Sequence, residues 1–272
     1  MKLIKSRQNQ IIKDILALRD KKNRRKERSF LIEGFRFVQE ALYSKADIKL
    51  ICVSSDSVEK FKNEFAPGGD INIIEVPPEL FRIISQTETP QGILAVVGIT
   101  DGMPELIYKK GFRVLFLDSV QEPGNAGTMI RTAHALGFDA VLTGPGTVDV
   151  FNSKALRATM GSIFNIPVLD NIHGNEMLEF CRKNRLRIIA SRLEEAKPCY
   201  ETNLEGDFLL VIGNEGKGVS DFIQKHATEF VYIPMPGGAE SYNAAVAASI
   251  IMYESFRQRG KANYNPVVQP GE

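Results

Sequence analysis

Several hallmarks of familiar protein classes are missing from this 272-residue sequence. It contains no run approaching the roughly 18 apolar residues that span a bilayer, and its first ten residues lack the apolar core of a secretion signal. These absences argue against a membrane protein and predict a cytoplasmic one. With 43% hydrophobic and 25% charged residues, the chain has an ordinary globular composition and is long enough for two modest domains.

Disulfide and metal-binding patterns are missing as well. The three cysteines, Cys52, Cys181 and Cys199, are odd in number and scattered, with no CxxC or Cys/His spacing. The sequence therefore predicts free thiols and no metal site. The three histidines stand in unrelated contexts without a partner nucleophile, which disfavours a hydrolase.

The two common nucleotide-binding motifs are incomplete. The segment GNEGKGVS at 213–220 is similar to a phosphate-binding loop, but Val219 follows Gly218 where that loop requires lysine. A dinucleotide-binding fold needs G-x-G-x-x-G after its first strand, and this chain has EPGNAG there. An NTPase, an NAD enzyme and the commoner methyltransferase fold are all disfavoured.

Positive charge is concentrated at the amino-terminal end. Residues 1–28 hold eleven Lys and Arg against three acidic residues, a local charge of +8, so the remainder carries −7 within a total of +1. Such a run can be a solvated helix end. Its asymmetry favours contact with the phosphates of a nucleic acid instead. The candidate nucleic-acid-binding residues in this run are Lys21, Lys22, Arg24, Arg25, Lys26 and Arg28.

Hydrophobic periodicity divides the chain into a small α/β unit at 1–100, a linker at 101–111, a larger α/β unit at 112–260 and a tail at 261–272. In the first unit, the pattern predicts helices at 11–18 and 35–42 and strands at 30–32, 49–53, 71–76 and 93–97. In the second, it predicts strands at 113–118, 139–142, 166–169, 186–190, 208–212 and 230–233, and helices at 125–136, 153–160, 175–184, 219–226 and 242–258. This alternation predicts a parallel sheet covered on both faces, and the pattern alone favours the standard doubly wound topology.

Three segments of the larger unit share one design. Each is an apolar strand, then a turn containing glycine, then the start of a helix, at 115–137, 209–220 and 231–248. All three place polar side chains where a strand ends. In open α/β sheets this is the edge at which ligands bind.

The order and content of these segments resemble the SpoU/TrmH family of RNA 2'-O-ribose methyltransferases, in the SPOUT superfamily, over residues 113–257. The matching residues are Asn125, Gly127 and Arg131; Gly213, Asn214, Glu215 and Gly216; and Ile233, Pro234, Met235, Ser241 and Asn243. Tyr242 stands where many relatives carry leucine.

The resemblance implies a trefoil-knotted domain, an obligate homodimer through that domain, and S-adenosyl-L-methionine as the cofactor. The implied cofactor-binding residues are Thr143, Gly144, Gly213, Asn214, Gly216, Ile233, Pro234, Met235, Tyr242 and Asn243. The implied catalytic residues are Asn125, Arg131, Glu215, Ser241 and Asn243. A stripe of Tyr242, Val246, Ile250 and Tyr253 on the last helix fits either the dimer contact or the core.

Some roles stay open at this point. Arg131 is a family candidate for the general base, but the planar, cationic guanidinium group is better suited to orienting a phosphate. Glu215 can orient the site or favour a helix start electrostatically. Asn125, Ser241 and Asn243 can act as helix caps, and the glycines can serve tight turns only.

The first unit resembles the ribosomal-protein-like RNA-binding domain fused to many SpoU enzymes, through Glu33, Gly34 and Arg36. This adds Arg36 to the RNA-binding candidates, although the unit can also merely pack beside the catalytic domain. The sequence as a whole thus favours a 2'-O-methyltransferase of 23S ribosomal RNA. Two alternatives remain, a tRNA 2'-O-methyltransferase and a non-catalytic RNA-binding protein.

Overall fold

The structure is a computed structural model that describes residues 1–65, 71–99 and 110–260. Most of the predicted linker and all of the predicted tail lie outside these residues. Two sheets organise the described chain, and each sheet draws its strands from one half of the sequence.

The first sheet has five strands in the order β1-β4-β3-β5-β2, with β5 antiparallel to both neighbours and the other pairings parallel. Its strands are β1 (Lys2–Leu3), β2 (Ser29–Glu33), β3 (Ile48–Ser54), β4 (Asn72–Val76) and β5 (Ile93–Gly98). Its helices are α1 (Gln10–Ala17), α2 (Lys21–Glu27), α3 (Phe35–Tyr43), α4 (Val58–Glu64) and α5 (Pro78–Ile84).

The second sheet has seven strands, all parallel, in the order β10-β12-β9-β11-β6-β7-β8. Its strands are β6 (Arg113–Leu117), β7 (Ala140–Thr143), β8 (Val168–Leu169), β9 (Arg187–Ser191), β10 (Lys197–Pro198), β11 (Phe208–Ile212) and β12 (Glu229–Tyr232). Its helices are α6 (Pro123–Ala135), α7 (Ser153–Thr159), α8 (Gly174–Lys183), α9 (Asp221–His226) and α10 (Ala244–Gln258).

The second sheet is apolar on both faces, as a parallel sheet must be. Along β6, Leu115 and Leu117 join the cluster that includes residues of α6 and α10, while Val114 and Phe116 join the cluster that includes residues of α8 and α9. The strands therefore have nearly continuous apolar sequences, which is why the pattern located them.

Helix starts differ from the predicted ones where a cap was misread. The α6 helix begins at Pro123, two residues before the predicted start, because proline suits the first helical position. Asn125 is therefore inside the first turn and is not a cap. The basic run forms a separate helix, α2, which Asp20 caps and Arg28 ends in the left-handed conformation at φ 48°.

Gly127 has a packing role in α6. A Cβ at this position would lie 2.3 Å from the carbonyl oxygen of Ala155 and 2.6 Å from the Cβ of Ala158, both in α7. Only glycine lets these two helices approach so closely.

The two halves of the chain share one hydrophobic core. Phe30 of β2 lies with its ring centroid 5.0 Å from that of Phe151 and 6.4 Å from that of Phe164, and Phe37 of α3 lies 5.4 Å from Phe164. A single cluster of buried side chains runs from the first sheet into the second. The amino-terminal half is thus packed against the rest along an apolar interface.

No helix within the described ranges is both long enough and apolar enough to cross a membrane.

Candidate active site

A cavity of about 690 Å³ opens at the carboxyl ends of β9, β11 and β12. These strands are neighbours in the sheet, so the loops that follow them meet at one edge. The volume lies within the range of small-molecule sites, about 300–1,000 Å³. The cavity is lined by residues of the 191–194, 212–219, 231–235 and 240–244 segments and by Gln224, Ala247 and Ile251.

Three side chains from distant parts of the sequence form a hydrogen-bonded chain beside this cavity. The Nδ2 of Asn243 donates to the Oδ1 of Asn125 at 3.0 Å, and the Nδ2 of Asn125 donates to the Oε1 of Glu215 at 3.0 Å. Asn243 is also the N-cap of α10, since its Oδ1 accepts from the amides of Ala245 and Val246. These hydrogen bonds connect one residue from each of the three predicted motifs.

Glu215 stabilises the start of α6 from a different loop. Its Oε2 accepts from the amide of Gln121, and its Oε1 accepts from the amide of Glu122, both at 3.1 Å. Burial of the Glu215 carboxyl would raise its pKa, but the hydrogen bonds from Asn125 and the two amides outweigh burial, so the net pKa is lowered. Glu215 is an anion at neutral pH with three donors on its two oxygens.

Asn214 holds the loop after β11 in shape. Its Oδ1 accepts from the amides of Gly216 and Lys217, and its Nδ2 donates to the carbonyl of Ser119 at 2.9 Å. A Cβ at Gly213 would lie 2.3 Å from the backbone of Gly218, so glycine is required there for the loop to fold back on itself. At Gly213, glycine therefore serves the turn.

The SpoU rRNA Methylase family matches residues 113–253, and the MRM3-like substrate binding domain matches residues 9–95. The chain belongs to the SpoU rRNA Methylase family. The family and the α/β fold predicted from the sequence are both confirmed.

The similarity of this SpoU protein to known methyltransferases extends over almost the whole chain. The Bacillus subtilis 23S rRNA (guanosine(2553)-2'-O)-methyltransferase RlmP is 40% identical over 253 residues, which cover 93% of this chain and 98% of the relative. An AdoMet-bound rRNA methyltransferase from Sinorhizobium meliloti has a TM-score of 0.82 at 31% identity, covering 94% of this chain and 98% of that one. The methyltransferase AviRb from Streptomyces viridochromogenes, in complex with AdoMet, has a TM-score of 0.84 at 25% identity, covering 94% and 100%.

Most of the predicted cofactor residues of the SpoU protein surround the cavity. Those that line it are Gly213, Asn214, Gly216, Ile233, Met235, Tyr242 and Asn243. Pro234 lies between two lining residues but is not among them.

Thr143 and Gly144 do not line this cavity, and their place in the cofactor site stays a prediction. Thr143 ends β7 and Gly144 follows it, and β6 separates β7 from β11. The Oγ1 of the buried Thr143 donates to Asp170 at 2.7 Å, and a Cβ on Gly144 would lie 2.8 Å from the ring of Phe116. Both residues serve the packing of the sheet.

Ser191 and Leu193 line the cavity and were not among the sequence candidates. Ser191 is the last residue of β9, and Leu193 is 56% exposed. A signal for them existed, because the strand at 186–190 was predicted and the strand-end argument applies to it equally. It was overlooked because that strand carries no glycine-containing turn.

Arg131 and Ser241 are both exposed, but only Ser241 lines the cavity. Arg131 lies six residues after Asn125, which is about 9 Å along the α6 axis. Among the described residues, no hydrogen bond or ion pair engages its guanidinium group. The N-cap of α10 is Asn243, so capping does not account for Ser241.

The seven candidate RNA-binding residues do not share one environment. Arg24 is a correction, because it is buried and bonded to Asp149 and so cannot contact a phosphate. Arg25 is half-exposed and lies 2.9 Å from Asp170. Lys21 is partly exposed, and the other exposed candidates are Lys22, Lys26, Arg28 and Arg36.

Proposed function

We propose that this SpoU protein transfers a methyl group from S-adenosyl-L-methionine to a ribose 2'-hydroxyl of 23S ribosomal RNA. The single observation that supports this best is the chain of hydrogen bonds joining Asn243, Asn125 and Glu215 at the mouth of the 690 Å³ cavity. Two relatives, from Bacillus subtilis and Streptomyces viridochromogenes, are named as 23S rRNA methyltransferases, which favours ribosomal RNA over tRNA.

The residues around the cavity fit this cofactor. Ile212, Ile233 and Ile251 give an apolar surface for an adenine ring, while Glu194, Glu215 and Glu240 provide negative charge near a sulfonium cation. Arg192 and Lys217 lie on the same walls and suit a carboxylate. When bound, the cofactor supplies an electrophilic methyl group, and the protein's task is to position the hydroxyl against it.

Neither Arg131 nor Glu215 is suited to be the general base. A guanidinium does not lose its proton at neutral pH, so we assign Arg131 to a phosphate next to the target ribose. The lowered pKa of Glu215 and its three donors make it a weak proton acceptor. We assign Glu215 and Asn125 to holding the α6 terminus and the loop after β11 in register.

We further propose that the active unit is a homodimer formed through residues 112–260, the unit that contains the second sheet. The α10 helix exposes Val246 at 46% and Tyr253 at 57%, and Tyr242 just before it is 39% exposed. Arg131 does not line the cavity of its own chain. A second copy packed on α10 would cover these apolar side chains and could bring its Arg131 to the neighbouring cavity.

The trefoil knot remains a proposal as well, and two contacts support it. The loop 213–218 is bonded to the segment 119–122, because Asn214 donates to the carbonyl of Ser119 and Glu215 accepts from the amides of that segment. In addition, α10 packs against α6. We also propose residues 1–100 as the RNA-binding domain, residues 112–260 as the methyltransferase domain, and the cytoplasm as the site of action.

Two measurements test the activity. Isothermal calorimetry at near-millimolar S-adenosyl-L-methionine should give a heat of binding, and none with folded protein would refute the cofactor site. Purified protein should then transfer labelled methyl groups to unmodified 23S rRNA and not to tRNA. Transfer to tRNA alone would favour the tRNA enzyme, and RNA binding without transfer would favour the non-catalytic alternative.

A further inference from the structure

The Arg24–Asp149 ion pair crosses the interface between the two halves of the protein. Arg24 lies in α2, and Asp149 lies in the loop after β7 of the second sheet. The side chains are only 8% and 9% exposed. The Nε of Arg24 donates to the Oδ2 of Asp149 at 2.8 Å, and its Nη2 donates to the same oxygen.

The rest of the Arg24 guanidinium is also occupied. Its Nη1 donates to the carbonyls of Leu18 and Arg19, both at 2.7 Å. These bonds tie the end of α1 to α2. A buried guanidinium with this many partners has a fixed position, and replacing either member of such a pair leaves an uncompensated buried charge.

On the other side, Asp149 belongs to a loop that is bonded to the active site. The amide of Val148 donates to Val120 at 2.8 Å, and the Oγ1 of Thr147 donates to Leu117 at 2.8 Å. The amide of Ser119 donates back to the Oγ1 of Thr147 at 3.1 Å. The segment 117–120 is thereby held in place from the side of Asp149.

The same short segment is bonded to the loop after β11. Asn214 donates to the carbonyl of Ser119, and Glu215 accepts from the amides of Gln121 and Glu122. Hydrogen bonds, joined by short stretches of backbone at 147–149 and 117–122, therefore connect α2 to Glu215, Asn125 and Asn243.

We propose that Arg24 and Asp149 are a positioning pair that fixes the RNA-binding domain in one orientation relative to the active site. The pair acts through the loop 147–149 and the segment 117–122. This inference rests on the proposed function, because the orientation matters for delivering one ribose to the cavity. A displacement of about 1 Å can cost on the order of 100-fold in rate.

Steady-state kinetics with 23S rRNA distinguishes this role from an RNA contact. Arg24→Gln and Asp149→Asn should each lower kcat at least about 10-fold, with little change in the KM for RNA or in its salt dependence. Arg25 is unsuitable as a control because it pairs with Asp170 across the same interface. Lys22→Gln is the matched control, since it removes the same charge from an exposed position of the same helix. It should instead weaken RNA binding and lower the salt slope by roughly 0.7 to 0.9.

An RNA contact at Arg24 predicts a different pattern. Arg24→Gln would then resemble Lys22→Gln, and Asp149→Asn, which removes a negative charge, would leave RNA binding unchanged or tighter. That result would overturn the positioning role. If a single variant does not fold, the double variant Arg24→Gln/Asp149→Asn leaves no unpaired buried charge and is expected to show the same loss of kcat.

A second readout does not depend on activity. Spin labels at Glu59→Cys and Lys183→Cys, exposed sites in the two halves, should give one narrow distance distribution in the otherwise wild-type protein and a broader one in the Arg24 and Asp149 variants. The native thiols should not compete, because all three are buried and burial raises the pKa of Cys52 and Cys181 to about 12. Unchanged distributions would refute the pair's role even if the protein methylates RNA. Broadened ones would support it even if the protein does not.

Discussion

The active-site edge of the second sheet brings distant polar residues together, whereas the basic helix α2 points neighbouring ones in different directions. Asn125, Glu215 and Asn243 are far apart in sequence, yet parallel strands bring them within hydrogen-bonding distance. The six cations of α2 and its end are adjacent in sequence, yet Arg24 points inward while its neighbours face outward. Strand ends gather residues at one edge, whereas a helix turns consecutive residues about 100° apart.

The strongest way to test the active-site half of this comparison is Arg131→Ala. Because the side chain is assigned to RNA and has no partner within the described residues, the variant should fold and bind S-adenosyl-L-methionine normally while losing about 100-fold or more in turnover. Arg131→Lys should also be poor, since an ammonium group lacks the planar fork. Arg182→Ala, on α8 at the opposite face of the sheet, is the control and should keep wild-type turnover; near-normal rates for both Arg131 variants would refute the assignment.

The same contrast explains which features of the fold and the site could be predicted from the sequence. Strand positions and the three motif loops were predictable, since apolar runs and turn residues are local signals. The partnership of Asn243 with Asn125 was not, because it depends on which strands are neighbours. The strands β1 and β10, each of two residues, carry too little periodicity to be detected.

The burial of Arg24 and of Thr143 was also beyond the sequence. Residues 19–28 contain seven basic residues, and the sequence gives no sign of which one faces inward. The partner of Arg24, Asp149, is 125 positions away. Thr143 stands at a strand end as several residues that line the cavity do, but its strand, β7, lies outside the β12-β9-β11 group.

Two substitutions at Asn243 distinguish its role as a helix cap from a role in the active site. Asn243→Asp retains an N-cap acceptor for α10 but replaces the donor that bonds to Asn125 with a second oxygen. We expect near-normal thermal stability with turnover lowered about 10-fold. Asn243→Ala should lose both functions and about 1 kcal/mol of the free energy of unfolding. Wild-type turnover in Asn243→Asp would show that the residue only caps the helix.

Glu215 gives the active-site edge a pH dependence of stability. Because its folded-state pKa is lowered, its stabilising contribution is complete above the unfolded-state value of about 4.3 and is lost as the pH falls through the folded-state value. The difference in Tm between wild type and Glu215→Gln should therefore be constant from pH 7 to pH 5 and shrink below that. A constant difference down to pH 3 would contradict this assignment.

The α2 half of the comparison is tested by a variant in which Arg24 is left intact and the other cations are removed. Replacing Lys21, Lys22, Arg25, Lys26 and Arg28 with glutamine should weaken RNA binding and flatten its salt dependence by roughly 0.7 to 0.9 per lost phosphate contact. Cofactor affinity should not change. An unchanged slope would mean that this surface is an ordinary solvated face and that RNA is captured elsewhere.

Mapping of 2'-O-methylated nucleotides in total RNA from a deletion strain tests the central claim most directly. The proposed function predicts that one modified nucleotide of 23S rRNA disappears on deletion and returns when the wild-type gene is supplied, but not when the gene encodes Arg131→Ala. An unchanged 23S rRNA pattern, with a lost tRNA modification or with no loss at all, would contradict it.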